Sequence, residues 1–135
     1  MNDRFKFRVW NGAEMHYNDF VVTATGFVGK ITEEFLGKCV FNQEDLTADK
    51  ECTLMQCTGL KDKNGKLIYE GDICRNVKTN EIVSVCWHGT MAGFTWSKPK
   101  YAHIYDFGEL FRAYDKYEVI GNIYENEDLL KCENQ

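Results

Sequence analysis

Apolar and polar residues alternate at every second position in several stretches of this chain, and that period constrains its fold more than any other feature. In Glu81-Ile82-Val83-Ser84-Val85-Cys86-Trp87-His88 the alternation is clean. Successive side chains on a pleated strand point to opposite faces. Val83, Val85 and Trp87 are therefore expected on one side, with Ile82, Ser84, Cys86 and His88 on the other. Because Trp87 shares its face with the two valines, it reads as a core residue. Phe5-Lys6-Phe7-Arg8-Val9 has the same period and predicts a first strand with Phe5, Phe7 and Val9 on one face.

Turn signals divide the rest into short strands. Asn11-Gly12 tolerates the positive φ angles of a tight hairpin, and Met15-His16-Tyr17 with Phe20-Val21-Val22 can form the return, so the N-terminus reads as a meander. Between Gly26 and Lys50 the pattern weakens to short strand signals at Phe27-Val28, Ile31 and Cys39-Val40-Phe41. Thr53 to Thr58 predicts another strand. It is followed by the stretch Gly59 to Lys66, in which Asn64-Gly65 marks a turn. Leu67-Ile68-Tyr69-Glu70-Gly71-Asp72-Ile73-Cys74 then offers an apolar edge, a Gly-Asp turn and a re-entering strand, an opening common in SH3-like small barrels. Gly93-Phe94-Thr95-Trp96 is the expected partner of the 81–88 strand across a turn from Gly89 to Ala92.

Helical spacing enters near the end. Asp106 and Glu109 have a capping-box-like separation, and Phe107, Leu110, Phe111 and Tyr114 share one face of the helix they would start, which is expected to pack on the sheet. Tyr117 to Tyr124 predicts a final strand, and Asn126 is expected to cap a short helical tail containing Leu129 and Leu130. The expected fold is thus mainly β (a β-rich α+β arrangement), an SH3-like small barrel or meander with a packed C-terminal helix. One domain over 1–135 is expected, with a meander over about 1–50, a barrel-like core over about 51–125 and a tail over 126–135.

At 135 residues the chain has the size of one domain. Nine Phe, seven Tyr and three Trp within a 44% hydrophobic composition supply the apolar area that opposes chain entropy. A net charge of −5 makes duplex DNA a poor partner on average. No apolar run reaches the roughly 18 residues of a membrane span, and Met1-Asn2-Asp3-Arg4 lacks the apolar stretch of a signal peptide, so a cytoplasmic protein is expected. In that compartment Cys39, Cys52, Cys57, Cys74, Cys86 and Cys132 read as reduced thiols.

Three segments resemble the YopX family of phage and prophage proteins: Phe7-Arg8-Val9-Trp10, the long stretch from Leu54 to Ile73, and Glu118-Val119-Ile120-Gly121-Asn122-Ile123-Tyr124-Glu125-Asn126. The middle one is specific, through Thr58-Gly59-Leu60, Asp62-x-x-Gly65 and Glu70-Gly71-Asp72. Cys57 stands where the resemblance would have an aromatic residue. The resemblance implies a phage or prophage origin, a β-rich fold and a product acting inside the bacterial host, and a homo-oligomer is compatible with it, since the many aromatic residues could furnish an interface. It supplies no catalytic residues. Gly59, Asp62, Asn64, Gly65, Tyr69, Glu70, Gly71, Asp72 and Gly121 form its motif, and their simplest reading is architectural.

Several chemistries can be weighed against plainer alternatives. Cys52, Cys57, Cys86 and His88 contain zinc-ligand types, but structural zinc sites bring two short-spaced pairs on turns, so buried thiols are the expectation and no metal or cofactor is assigned. Asp62-Lys63-Asn64-Gly65 begins like a calcium loop, yet Leu67 and Ile73 occupy the positions that need glycine and a bidentate glutamate. Glu70 and Asp72 are better read as fixing a turn than as an acid/base pair. With no glycine-rich phosphate loop, nucleophile elbow or zinc-protease helix, an enzyme is disfavoured. Trp87, Phe94, Trp96, Lys98, Lys100 and Tyr101 are the best candidate surface for single-stranded nucleic acid, where bases would stack on aromatic rings beside cations. The plainer reading makes Trp87 core, and Lys98 and Lys100 ordinary solvated charges. Protein partners, itself among them, are therefore expected ahead of nucleic acid, and no membrane partner is expected.

Overall fold

The computed structural model describes residues 2–18, 20–22, 28–35, 38–41, 53–89, 92–97 and 114–131. Antiparallel β-structure dominates them, as the two-residue period requires. The chain forms two compact units, one from Phe7–Met55 and the other from Met1–Lys6 with Gln56–Gln135.

In the Phe7–Met55 unit, β1 (Phe7–Trp10) and β2 (Met15–His16) form a hairpin with Val9 opposite His16 and Trp10 opposite Met15. Gly12 has φ +94° at its tip, a conformation glycine adopts without steric cost. The expected strand start differs. Phe5 belongs to a 3-10 turn, Asp3–Phe5, and is 54% exposed. Asn2 Oδ1 accepts from Arg4 N, and Lys6 N donates to Asp3 O. These local bonds outcompete the strand that alternation alone would extend to Phe5. Alternation also fails at Arg8, which is buried beside Val9 in sequence.

A second sheet of this unit has the order β3 (Phe20–Val22), β4 (Val28–Phe35), β5 (Lys38–Phe41). The weak signals at Val28 and Ile31 are one strand that continues through Thr32-Glu33-Glu34. Pairing with β5 puts Glu34 opposite Cys39 and Phe35 opposite Lys38, and backbone ladders are indifferent to side-chain polarity. Phe27 lies outside the described residues.

The boundary between the units runs through β6 (Thr53–Lys61). Its later part pairs with β7 (Leu67–Tyr69), with Cys57 opposite Tyr69 and Lys61 opposite Leu67. A four-stranded antiparallel sheet follows in the order β10 (Gly93–Ser97), β9 (Ile82–His88), β8 (Asp72–Asn76), β11 (Tyr117–Asn122). The hairpin across Gly89 to Ala92 forms as the pattern predicts, with Gly93 opposite His88 and Trp96 opposite Val85. Ile68, Cys74, Val83, Val85, Phe94, Trp96 and Tyr117 make the core of this unit, with Leu60, Tyr114 and Val119 packed against it.

Three expectations change at the ends of elements. Trp87 is not core: it is 48% exposed. The period assigns its face correctly, but it sits near the end of β9, where cover over that face runs out. The helix expected from Asp106 lies outside the described residues. Tyr114, which was to share its apolar face, opens a 3-10 turn, Tyr114–Lys116. The tail does contain a helical turn, Asp128–Lys131 with Leu129 and Leu130, but Asn126 does not cap it with its side chain. Its Oδ1 instead accepts from Asn122 N at 3.1 Å. Among the described residues no helix is long and apolar enough to cross a membrane.

Candidate functional site

The motif residues from Gly59 to Asp72 converge on the turns between β6, β7 and β8. Asp62 is 6% exposed, and its carboxylate accepts three backbone amides. Asn64 N and Lys66 N donate to Oδ1 at 2.8 and 2.9 Å, closing the β6–β7 turn. Val119 N on β11 donates to Oδ2 at 2.9 Å. A charged acceptor makes each bond stronger than a neutral one. Lys63 N also donates to Tyr117 O, so the turn is tied to β11 along two residues of that strand. Gly65, with φ +82°, provides the left-handed position of this turn. Asn64 keeps an ordinary negative φ, so in the Asn64-Gly65 turn the glycine alone takes the left-handed conformation.

Gly71 and Asp72 build the next corner. Gly71 has φ +86°; its amide donates to Val85 O at 2.8 Å, and its carbonyl accepts from Ile123 N at 2.9 Å. Asp72, nearly fully buried, accepts from Tyr69 N at 2.8 Å through Oδ2. Glu70 N donates to Gln56 O. Thr58, to which the sequence attached no role of its own, donates to Ile68 O and accepts from Leu60 N through one hydroxyl. Its signal was its place in the motif. Gly59, at φ +82°, lies against Arg4, whose Cβ is 3.4 Å from where an added methyl would sit.

Gly121 and its followers make a compact corner after β11. Asn122 Oδ1 accepts from Tyr124 N and Glu125 N, while Asn126 N donates to Asn122 O. The Asn126 side chain occupies the space where a Cβ on Gly121 would stand: that atom would lie 2.8 Å from Asn126 Cβ and closer still to its amide group. Both asparagines act locally: Asn122 bonds the amides two and three residues on, and Asn126 bonds back to Asn122 N, the short-range pattern of asparagine turns.

The aromatic candidates separate. Trp96 is 1% exposed and Phe94 is 6% exposed, so neither presents a face on which a base could stack. Trp96 packs on Tyr117 at 4.5 Å between ring centroids. Trp87 remains on the surface and meets the Phe94 ring edge-on at 5.0 Å and 78°. Lys98, Lys100 and Tyr101 lie outside the described residues. Of these candidates, Trp87 is the one left exposed among the described residues, and it is anchored on a core residue.

Reactive groups are few among the described residues. Burial pushes the Cys57 and Cys86 thiols up from their ordinary value, which holds them neutral and weakly nucleophilic. Lys6 Nζ lies 2.8 Å from Asp3 and holds that exposed carboxyl below its usual range. No three His, Cys, Asp or Glu side chains among the described residues come together as metal ligands. Cys52 lies outside them.

Comparison with known proteins places this architecture. None of the curated proteins matches the chain. Among solved structures, EF1440 from Enterococcus faecalis is similar with a TM-score of 0.63 and 28% identity over 93% of this chain and 96% of its own. Protein yopX from Bacillus subtilis is similar with a TM-score of 0.55 and 23% identity over 96% of this chain and 98% of its own. The family model described as YopX protein matches residues 6–131, which include every motif residue discussed above. The chain belongs to the YopX family.

Proposed function

We propose that this chain is a non-enzymatic interaction module, encoded by a phage or prophage and acting in the bacterial cytoplasm, that works through protein contacts and self-association. The observation that carries the reading is the state of Trp87: a large aromatic left about half exposed, yet held by Phe94 in a fixed edge-on contact. Tryptophan is enriched among residues that dominate protein interfaces, and a pre-positioned ring loses little side-chain entropy on binding. The motif carboxylates support the same reading. Asp62 binds three backbone amides and Asp72 accepts from Tyr69 N, so both act in building turns.

The test is capture of partners from lysogenic or infected host cells with the parent protein and with Trp87→Ala, alongside light scattering of both. Recovery of a specific protein, or a dimeric or larger mass, that the substitution abolishes is the expected result. A strictly monomeric mass at high concentration together with no Trp87-dependent partner rejects the reading. A salt-sensitive shift with single-stranded DNA or RNA, lost in Trp87→Ala, would replace it with a nucleic-acid function.

A further inference from the structure

The two Asn-Gly turns of this chain are held in different ways, and one of them is arranged for a covalent change. At the β1–β2 turn, Asn11 Oδ1 accepts from Ala13 N and Glu14 N, both at 2.9 Å. Asn11 Nδ2 lies 2.9 Å from His16 Nε2, and Glu14 Oε1 is 3.5 Å from that same imidazole nitrogen. Gly12 follows with φ +94° and open space where a Cβ would be. Among the described residues its amide donates to no acceptor. At the β6–β7 turn the contacts are reversed. Gly65 N is engaged with Asp62 O at 3.0 Å, and among the described residues the Asn64 side-chain amide has no hydrogen-bond partner.

We infer that Asn11 is a self-modification site, converting to aspartate and isoaspartate through a cyclic imide with Gly12 in a reaction assisted by its own turn. The Gly12 nitrogen attacks Asn11 Cγ and loses its proton to solvent. Negative charge develops on Oδ1, where two amide donors already point; donors fixed in advance at a developing oxyanion are an effective source of rate enhancement. Those same two bonds fold the Asn11 side chain back over the residues that follow it.

In the tetrahedral species Nδ2 has become a basic amine. His16 Nε2, which accepts from Nδ2 in the resting turn, relays a proton from solvent to it, and the Cγ–Nδ2 bond breaks to release ammonia. The imide contains Gly12 N bonded to both Asn11 carbonyl carbons. One water opens it, at Cγ to give aspartate or at the main-chain carbonyl to give isoaspartate. The overall change is amide plus water to acid plus ammonia, and no oxidant or further reactant is required. The product places a carboxylate beside Glu14, and the isoaspartate form adds a methylene to the main chain at the β1–β2 turn.

The two turns provide an internal comparison. Full-length protein is held at physiological temperature and pH, digested, and analysed by mass spectrometry for conversion at Asn11 and at Asn64 in the same sample. Asn11 is expected to convert about a hundredfold faster than Asn64, the low end of what one positioned acid supplies. In urea the ratio should fall towards one. His16→Gln should remove most of the Asn11 excess and leave the Asn64 rate unchanged. Equal or slower conversion at Asn11 in the folded protein would show that the turn protects its asparagine, and would overturn the inference. So would a ratio unchanged in urea, or a His16→Gln protein that folds normally and converts Asn11 at the parent rate. Should His16→Gln fail to fold, the folded-to-urea ratio of the parent alone decides.

Discussion

Replacing Asp62 with alanine removes the acceptor from three backbone amides in two separate parts of the chain. The bonds are part-buried and Asn64 and Lys66 are exposed, so water replaces part of what is lost, and Asp62→Ala should lose about 1–3 kcal/mol in urea unfolding. Asp62→Asn retains one carbonyl oxygen and should lose less, chiefly through the amide group it turns towards Val119 N. Gly121 is constrained from outside its own strand, because the Asn126 side chain stands where a methyl would go. Gly121→Ala should cost about 1–3 kcal/mol, the usual range for overpacking. In an Asn126→Gly background the collision disappears, and a double-mutant cycle should report coupling of at least about 0.5 kcal/mol between the two positions. Additive losses would show that the corner relaxes around the new methyl. The specific middle motif was legible at this scale, because glycine and aspartate at fixed intervals announce turns. The destination of Asp62 Oδ2 was not: its donor lies 57 positions later.

The β9–β10 hairpin shows how far a period carries. Alternation places Val83, Val85 and Trp87 on one face of β9, and the pairing of Trp87 with Phe94 and of Val85 with Trp96 agrees with it. Alternation does not say where along the strand the opposing layer ends. Trp96 lies under it and Trp87 lies at its margin. Trp96→Ala should therefore lose about 3–5 kcal/mol, as large core truncations do. Trp87→Ala should lose on the order of 1 kcal/mol, since only part of its ring area is withdrawn from water. Paired denaturation curves measure both, and comparable losses would make Trp87 a stability residue and remove it as a contact surface. At the other end of the chain, Phe5 fits the alternating pattern but is held out of the strand by the Asp3–Phe5 turn. A local side-chain bond of that kind is visible only once the backbone conformation is known.

Over the molecule as a whole, buried thiols give stability a dependence on alkaline pH. Burial raises Cys57 and Cys86 above the ordinary 9.0, so the unfolded chain releases these protons first. From about pH 8.5, where free thiols begin to ionise, the native state binds more protons than the unfolded one, and unfolding becomes easier as pH rises. The contribution is present in full below that point and is lost through the folded values. Urea midpoints measured from neutral to alkaline pH should fall, and Cys57→Ala should flatten the fall; an unchanged slope would show that Cys57 ionises alike in both states. By itself the sequence determined the mainly β class, the glycine turn at 65, the 93–96 return strand and the family, because period and turn chemistry are local properties of the chain. Tertiary structure decided which aromatic stays exposed, why residue 121 must be glycine and where the Asp62 carboxylate is anchored. Each of these depends on atoms brought close in space by folding, and no pattern of neighbours along the sequence contains that information.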